Sequence, residues 1–272
     1  MIRNVTCAAI VVVSMLGCWS VAAGDLAEIR ERGQLTMITF PHQESRFSRT
    51  NLDAGPTPEL GTADHFVGAD VELMSAFADW LGVELAVRRV SEPSYGALIP
   101  DLLAGRGDLI ASSLTITPER AKKVSFSDPY FTAYKVVVTK ADAAIENVDQ
   151  LAGKRAAVIE GSSHHEQLLA MGVPPESISF VNFTLECFTA VADGTADYTV
   201  VDSIAAANGL AAEPRLRIAF RLPGDDHYGF AVPKDSPELL AALNVFLDEM
   251  RQSGKLDEIV SRHLARTIPE VS

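Results

Sequence analysis

Apolar positions along the chain recur in two rhythms. Short runs of about five apolar or alternating residues, such as "QLTMITF" at 34–40, "VELAVRRV" at 83–90, "DLIASS" at 108–113 and "DYTVV" at 197–201, have the pattern of strands. Between them lie segments with helical spacing. "GADVELMSAFADWLG" puts Val71, Met74, Phe77 and Leu81 on one face and ends at Gly82, a helix stop. "YGALIPDLLAG" reads as a second helix, weakened by Pro100, and "SPELLAALNVFLDEMRQSG" and "KLDEIVSRHLA" close the chain. The run "YKVVVTK" leads through a polar stretch to a second α/β set that starts at "RAAVIEGSS" and includes "SIAAANGL" as a helix. "LRIAF" and, after the turn-rich "LPGDD", "HYGFAV" read as two further extended runs. This alternation predicts an α/β fold of two Rossmann-like lobes with mixed, mostly parallel sheets. "AYKVVV" and "HYGFAV" are the predicted hinge strands, with lobe 1 at residues 24–135 and 228–272 and lobe 2 at 136–227.

An internal echo bears on the site. "GRGDLIASS" and "GTADYTVVD" share a frame of glycine, aspartate three later, an apolar strand, and a polar residue five after the aspartate. The endpoints are Ser113 and Asp202. Ligands of open α/β sheets bind outside the carboxyl ends of strands, so the echo predicts that the two endpoints face one cleft.

Composition narrows the function. Arg3, a short apolar run from Ala8 to Leu16 and the small residues of "SVAAGD" predict a secretory signal over residues 1–23, cleaved after Ala23. Cleavage as a lipoprotein at Cys18 is the disfavoured alternative. The remaining chain carries 22 basic and 36 acidic residues, a net charge of −14, which argues against nucleic acid and anionic lipid as partners. Beyond that signal Cys187 is the lone cysteine, so no intramolecular disulfide is expected, and a packed thiol is the simple reading.

Four hydroxyl residues, a proline and one arginine follow the strand "DLIA" in "SSLTITPER". Thr117 and Pro118 form a helix start, as N-cap and first helical residue. Arg120 then sits in the first turn, where the helix dipole disfavours a cation unless an anion is near. Ser113 and Thr115 add hydroxyls, so the stretch reads as an anion site, the alternative being a capped surface helix with a solvated arginine. A second such turn, "VIEGSSHHE", offers Ser162 and Ser163 before a helix. With Asp202 supplying the opposite sign, the set describes a receptor for a zwitterion.

These residues carry a resemblance. "LIPDLLAGRGDLIASSLTITPERAKKVSFSDPYF" is similar to the signature region of the extracytoplasmic solute-binding proteins of amino-acid ABC transporters. "LAGKRAAVIEGSS", "ADGTADYTVVDS", "YGFAV" and "GKLDEIVSRHL" follow in that family's order. The resemblance implies a type II periplasmic binding fold that closes on its ligand by a hinge. It implies that Arg120 holds a ligand α-carboxylate, assisted by Thr115 and the Ser162–Ser163 turn. Ser113 and Asp202 would then bind the α-amino group. It further implies a periplasmic monomer, a small carboxylate or amino-acid ligand, a membrane ABC permease as partner, and neither cofactor nor metal.

The match is poorest in "PHQESRFSRTNLDAGPTPELGTADHF", residues 41–66, where the family has a short loop with an aromatic wall. Phe47 would be the wall, or the loop a solvated flap. Arg46 or Arg49 would select an acidic side chain, although a loop arginine is usually just exposed, and that reading is preferred here. His164 stands where the family places a polar side chain near the ligand. Three other functions are weighed. "GSSHHE" lacks both the G-x-S-x-G nucleophile turn and the HExxH zinc spacing, and the six histidines are scattered. A cyclohexadienyl-dehydratase-like enzyme on the same fold would need an acid over the ligand, from Glu160 or His164. A sensing module for a membrane partner is the third; the absence of an appended segment after the final helix favours a free-standing receptor.

Overall fold

The computed structural model describes residues 26–41, 45–90, 92 and 94–264. The predicted export signal, including Cys18, lies outside them. In chain order the helices are α1 (Leu26–Arg32), α2 (Ala69–Leu81), α3 (Leu98–Leu103), α4 (Pro118–Ala121), α5 (Ser163–Ala170), α6 (Thr184–Asp193), α7 (Ser203–Ala212), α8 (Pro237–Gln252) and α9 (Lys255–His263). The strands are β1 (Gln34–Thr39), β2 (Arg49–Thr50), β3 (Leu60–Thr62), β4 (Phe66–Val67), β5 (Glu84–Arg89), β6 (Leu109–Ile110), β7 (Ser125–Phe126), β8 (Phe131–Lys140), β9 (Ala156–Ile159), β10 (Ile178–Val181), β11 (Tyr198–Asp202), β12 (Leu216–Tyr228) and β13 (Ala231–Val232).

Among the described residues the strands form two large sheets, as the alternation predicts, and a small one of β2 and β4. The first has the order β3-β5-β1-β6-β13-β7 and the second β10-β9-β11-β8-β12. β1 lies parallel to β5 and β6, and β9 parallel to β10 and β11. Both residues of β6 and all four of β9 are buried, because helices cover both sides of a parallel sheet at its centre. On the first sheet, Phe77 of α2 meets Phe246 of α8 with ring centroids 5.2 Å apart, and Leu256 and Ile259 of α9 join the same core. Gly82 ends α2 in the left-handed conformation, at φ 76°, as its position predicts.

The lobes are joined by antiparallel pairing of β8 with β12, from Phe131 opposite Tyr228 to Lys140 opposite Leu216. Here the structure departs from the sequence expectation. "LRIAF" and the start of "HYGFAV" are parts of one strand, β12, which tolerates "LPGDD" through register shifts between Ile218 and Phe220 and between Arg221 and Asp225. The rest of "HYGFAV" becomes β13, in the other sheet. The second helix is also shorter than its apolar pattern: a 3₁₀ turn at Tyr95–Ala97 precedes α3. Pro100 sits in the first turn of α3, where its missing N–H costs no helical bond.

Residues 41–66 are not a loose flap in their described part. β3 adds an edge to the first sheet by pairing with β5, and β2 pairs with β4. Gly68 is required at the return, since a Cβ there would lie 2.3 Å from the Phe47 carbonyl oxygen.

Candidate functional site

A cavity of about 260 Å³ lies between the lobes. Every predicted ligand residue lines it: Ser113, Thr115 and Arg120 from the first lobe, Ser162, Ser163, His164 and Asp202 from the second, and Phe47 from the 41–66 segment.

Local sequence explains how each arrives. Thr117 caps α4, its hydroxyl accepting from the Arg120 N–H at 3.3 Å, and Pro118 opens the helix. That turn sends the Arg120 side chain inward, where it is 6% exposed. Its guanidinium donates to the Thr115 carbonyl at 2.9 Å and, across the lobes, to the Gly161 carbonyl at 3.0 Å. Glu166 of α5 stands 3.6 Å from Arg120 Nε as counter-ion. Burial pushes the Arg120 pKa down, and Glu166 works against that shift. A second link between the lobes runs from the Thr115 hydroxyl to Ser163 Oγ at 3.2 Å.

Ser162 is the N-cap of α5, accepting from the His165 N–H at 3.1 Å. The first-turn N–H groups of a helix have no partner within it, so this end offers donors to an anion. His164 follows, and its Nε2 is buried without a hydrogen-bond partner. Burial lowers its pKa, with Asp202 and Asp226 opposing, so the ring is neutral at pH 7. Asp202 ends β11 and caps α7, one oxygen accepting from the Ala205 N–H at 2.7 Å.

Ser113 is held in an unusual way. It is the one non-glycine residue with positive φ, 45°, among the described residues. Its N–H donates at 2.6 Å to Asp70, which also accepts from the Tyr130 hydroxyl at 2.5 Å. Asp70 is fully buried, and burial raises its pKa to about 6 against both hydrogen bonds. Sequence reasoning read Asp70 only as part of a helix; its place in the first turn was the available signal, but nothing local shows that it reaches 43 residues along the chain.

The echo between the two lobes is structural. Gly105 and Gly194 both follow helices with positive φ, 69° and 79°. Asp108 and Asp197 then each accept from a backbone N–H at the start of a neighbouring strand, Thr36 at 2.7 Å and Arg155 at 2.8 Å. One device is used twice, and it delivers Ser113 and Asp202 to the same cleft.

Several cleft residues escaped the sequence reading. Tyr95, from the 3₁₀ turn before α3, lines the cavity beside Ser113, and burial pushes its hydroxyl up to about 12. Beneath the cleft Lys135 pairs with Asp226, both largely buried. Arg46, read as an exposed loop residue, instead lines the cavity half-buried. Phe47 is 4% exposed and packs edge-on against Tyr130, Phe131 and Tyr228. It therefore offers the ligand only part of a ring already held by its neighbours. Glu160, one of the two residues from which the dehydratase alternative would draw its acid, is exposed and is not among the residues lining the cavity, although its carbonyl accepts from the Ser94 hydroxyl of the first lobe at 3.1 Å.

Comparison with known proteins bears on the family and the fold. Residues 53–266 match the model of the bacterial extracellular solute-binding proteins, family 3. The glutamine-binding protein GlnH of Bacillus subtilis is 31% identical over 219 residues, 78% of this chain and 77% of that protein. Membrane-bound lytic murein transglycosylase F of Desulfosudis oleivorans is 30% identical over 243 residues, 88% of this chain but 50% of the enzyme, so the chain spans about half the length of that relative. Among solved structures, the amino acid ABC transporter substrate-binding protein AbpA of Streptococcus pneumoniae, bound to L-arginine, superposes with a TM-score of 0.77 at 26% identity, covering 90% of this chain and all of that one.

Proposed function

We propose that this chain, which belongs to the bacterial extracellular solute-binding proteins of family 3, captures an amino-acid-type zwitterion between its lobes and delivers it to a membrane ABC permease. The observation that carries the reading is that Arg120 and Asp202 face one cavity from opposite lobes. The ligand α-carboxylate is held by Arg120 with Thr115 and the Ser162–Ser163 turn, and the α-ammonium group by Asp202 and Ser113. Such a ligand contacts both lobes only when they are closed, so binding shifts the hinge equilibrium towards the closed form. The chain does no chemistry in this cycle, and the permease supplies the energy. Residues 1–23 direct export, lobe 1 comprises 24–135 and 228–272, and lobe 2 comprises 136–227, with action outside the cytoplasm as a monomer.

Titration of ligand-stripped, refolded protein with the amino acids tests this reading. Arg120→Ala removes two charge-assisted bonds, each worth about 1.5–3 kcal/mol, so affinity drops by roughly two orders of magnitude or more. Unchanged amino-acid binding in that variant would show that the carboxylate sits elsewhere. A second reading, a ligand-sensing domain acting with a membrane partner, is favoured by the match to half of the membrane-bound transglycosylase. Binding of an amino acid without dependence of its uptake on this protein would select it.

A further inference from the structure

Among the described residues that line the cleft, Arg46 is a cation that the zwitterion reading leaves unused. Arg46 projects into the cavity from the segment before β2, and its backbone is fixed. The carbonyls of Arg46 and Phe47 accept from Ala69 and Asp70 N–H at 3.0 and 2.9 Å, so the start of α2 holds them. The Arg46 guanidinium donates to Asn208 Oδ1 of α7 at 3.1 Å, a neutral acceptor. Among the described residues it has no carboxylate partner. Arg120 by contrast has Glu166, and Lys135 has Asp226. A guanidinium presents five donors in a rigid fork suited to a carboxylate, and half-burial without an anion forgoes that pairing.

Position adds the second argument. Asp202 caps α7, and Asn208 lies six residues on along the same helix, on the order of 9 Å at 1.5 Å per residue. The cavity lining contributed by this helix is otherwise apolar: Ile204, Ala205 and Gly209 line it, together with Phe188 of α6. Gly209 leaves the Phe188 ring in place, since a Cβ there would come within 2.2 Å of it. A methylene chain suits that wall, and a polar end suits what lies beyond it.

We propose that Arg46 binds a second carboxylate, so that the ligand is an amino acid of net negative charge whose distal acid group is carried on an apolar spacer. This rests on the receptor reading of the same site. It separates the chain from relatives named for glutamine and from the arginine-bound structure, because a guanidinium ligand would meet Arg46 with like charge.

The test is calorimetric titration of the ligand-stripped protein with L-glutamate, L-2-aminoadipate, L-glutamine and L-arginine, repeated on Arg46→Gln. Glutamine at 46 keeps an N–H donor for Asn208 and removes only the charge. At least one acid should bind about tenfold or more tighter than glutamine and arginine, and Arg46→Gln should abolish that preference by weakening the acid about tenfold or more beyond any loss for glutamine. Glutamine or arginine binding as tightly as both acids would overturn the proposal and leave the receptor intact. So would an equal loss for acid and amide in Arg46→Gln, which would make Arg46 only a tie between the lobes. Failure of both acids while another amino acid binds would overturn the proposal and leave the receptor intact, whereas failure of every amino acid would remove the receptor reading, and this inference with it.

Discussion

At the scale of the residue, the cleft depends on side chains that touch no ligand. Asp70 holds the Ser113 backbone in a left-handed conformation that costs on the order of 1–3 kcal/mol for a non-glycine residue. Its pKa, raised to about 6 by burial, makes a pH signature. The folded value lies above the unfolded one, so the folded chain keeps its proton longer. The contribution to stability is therefore full below about pH 4, declines as pH rises to about 6, and is then constant. A shift of this size corresponds to about 3 kcal/mol. Asp70→Asn should flatten that part of the profile in thermal melts between pH 4 and 7. An unaltered profile would place the titration in another group.

At the scale of the element, the two lobes meet through backbone. Gly161 ends the turn after β9 at φ 69°, and a Cβ there would lie 2.7 Å from the Gly96 N of the other lobe. Gly161→Ala adds local strain of about 1–2 kcal/mol in any state and a collision only when the lobes close. Its ligand affinity should accordingly drop by about tenfold or more while the ligand-free melting temperature falls by only a few degrees. Scattering would check the cause: the variant should stay open with ligand at concentrations that compact the wild type. The same scale shows what the pattern of the chain can reveal. The glycine–aspartate frame was legible because both aspartates do the same work in the same place, each accepting from a backbone N–H near the start of the neighbouring strand. The unity of β12 was not legible, since "LPGDD" has turn chemistry and only pairing with β8 carries it through.

At the scale of the molecule, apolar groups from both lobes meet. Phe40 of the first stacks on Phe183 of the second, centroids 6.2 Å apart, and Cys187 is buried in the same cluster. Cys187 lines the cleft and is 2% exposed. In the proposed cycle an open form admits solvent to that cluster, so a thiol reagent should modify Cys187 slowly in the ligand-free protein and more slowly still with ligand. Modification at one rate in both conditions would argue against a hinge at this seam.

The sequence by itself determined the two α/β lobes, the helix cap at Thr117, the helix start after Ser162, and the cleft-lining residues carried by those helix starts and by strand ends. Each of these rests on interactions within a few residues, where spacing and residue type decide the outcome. Only the tertiary structure decided that Arg46 enters the cleft rather than solvent, that Phe47 is spoken for by three other rings, that Glu160 faces away, and that Asp70 sets the Ser113 backbone. Those outcomes join segments distant in the chain, and a side chain's direction there is set by the lobe packed against it, which local pattern does not encode.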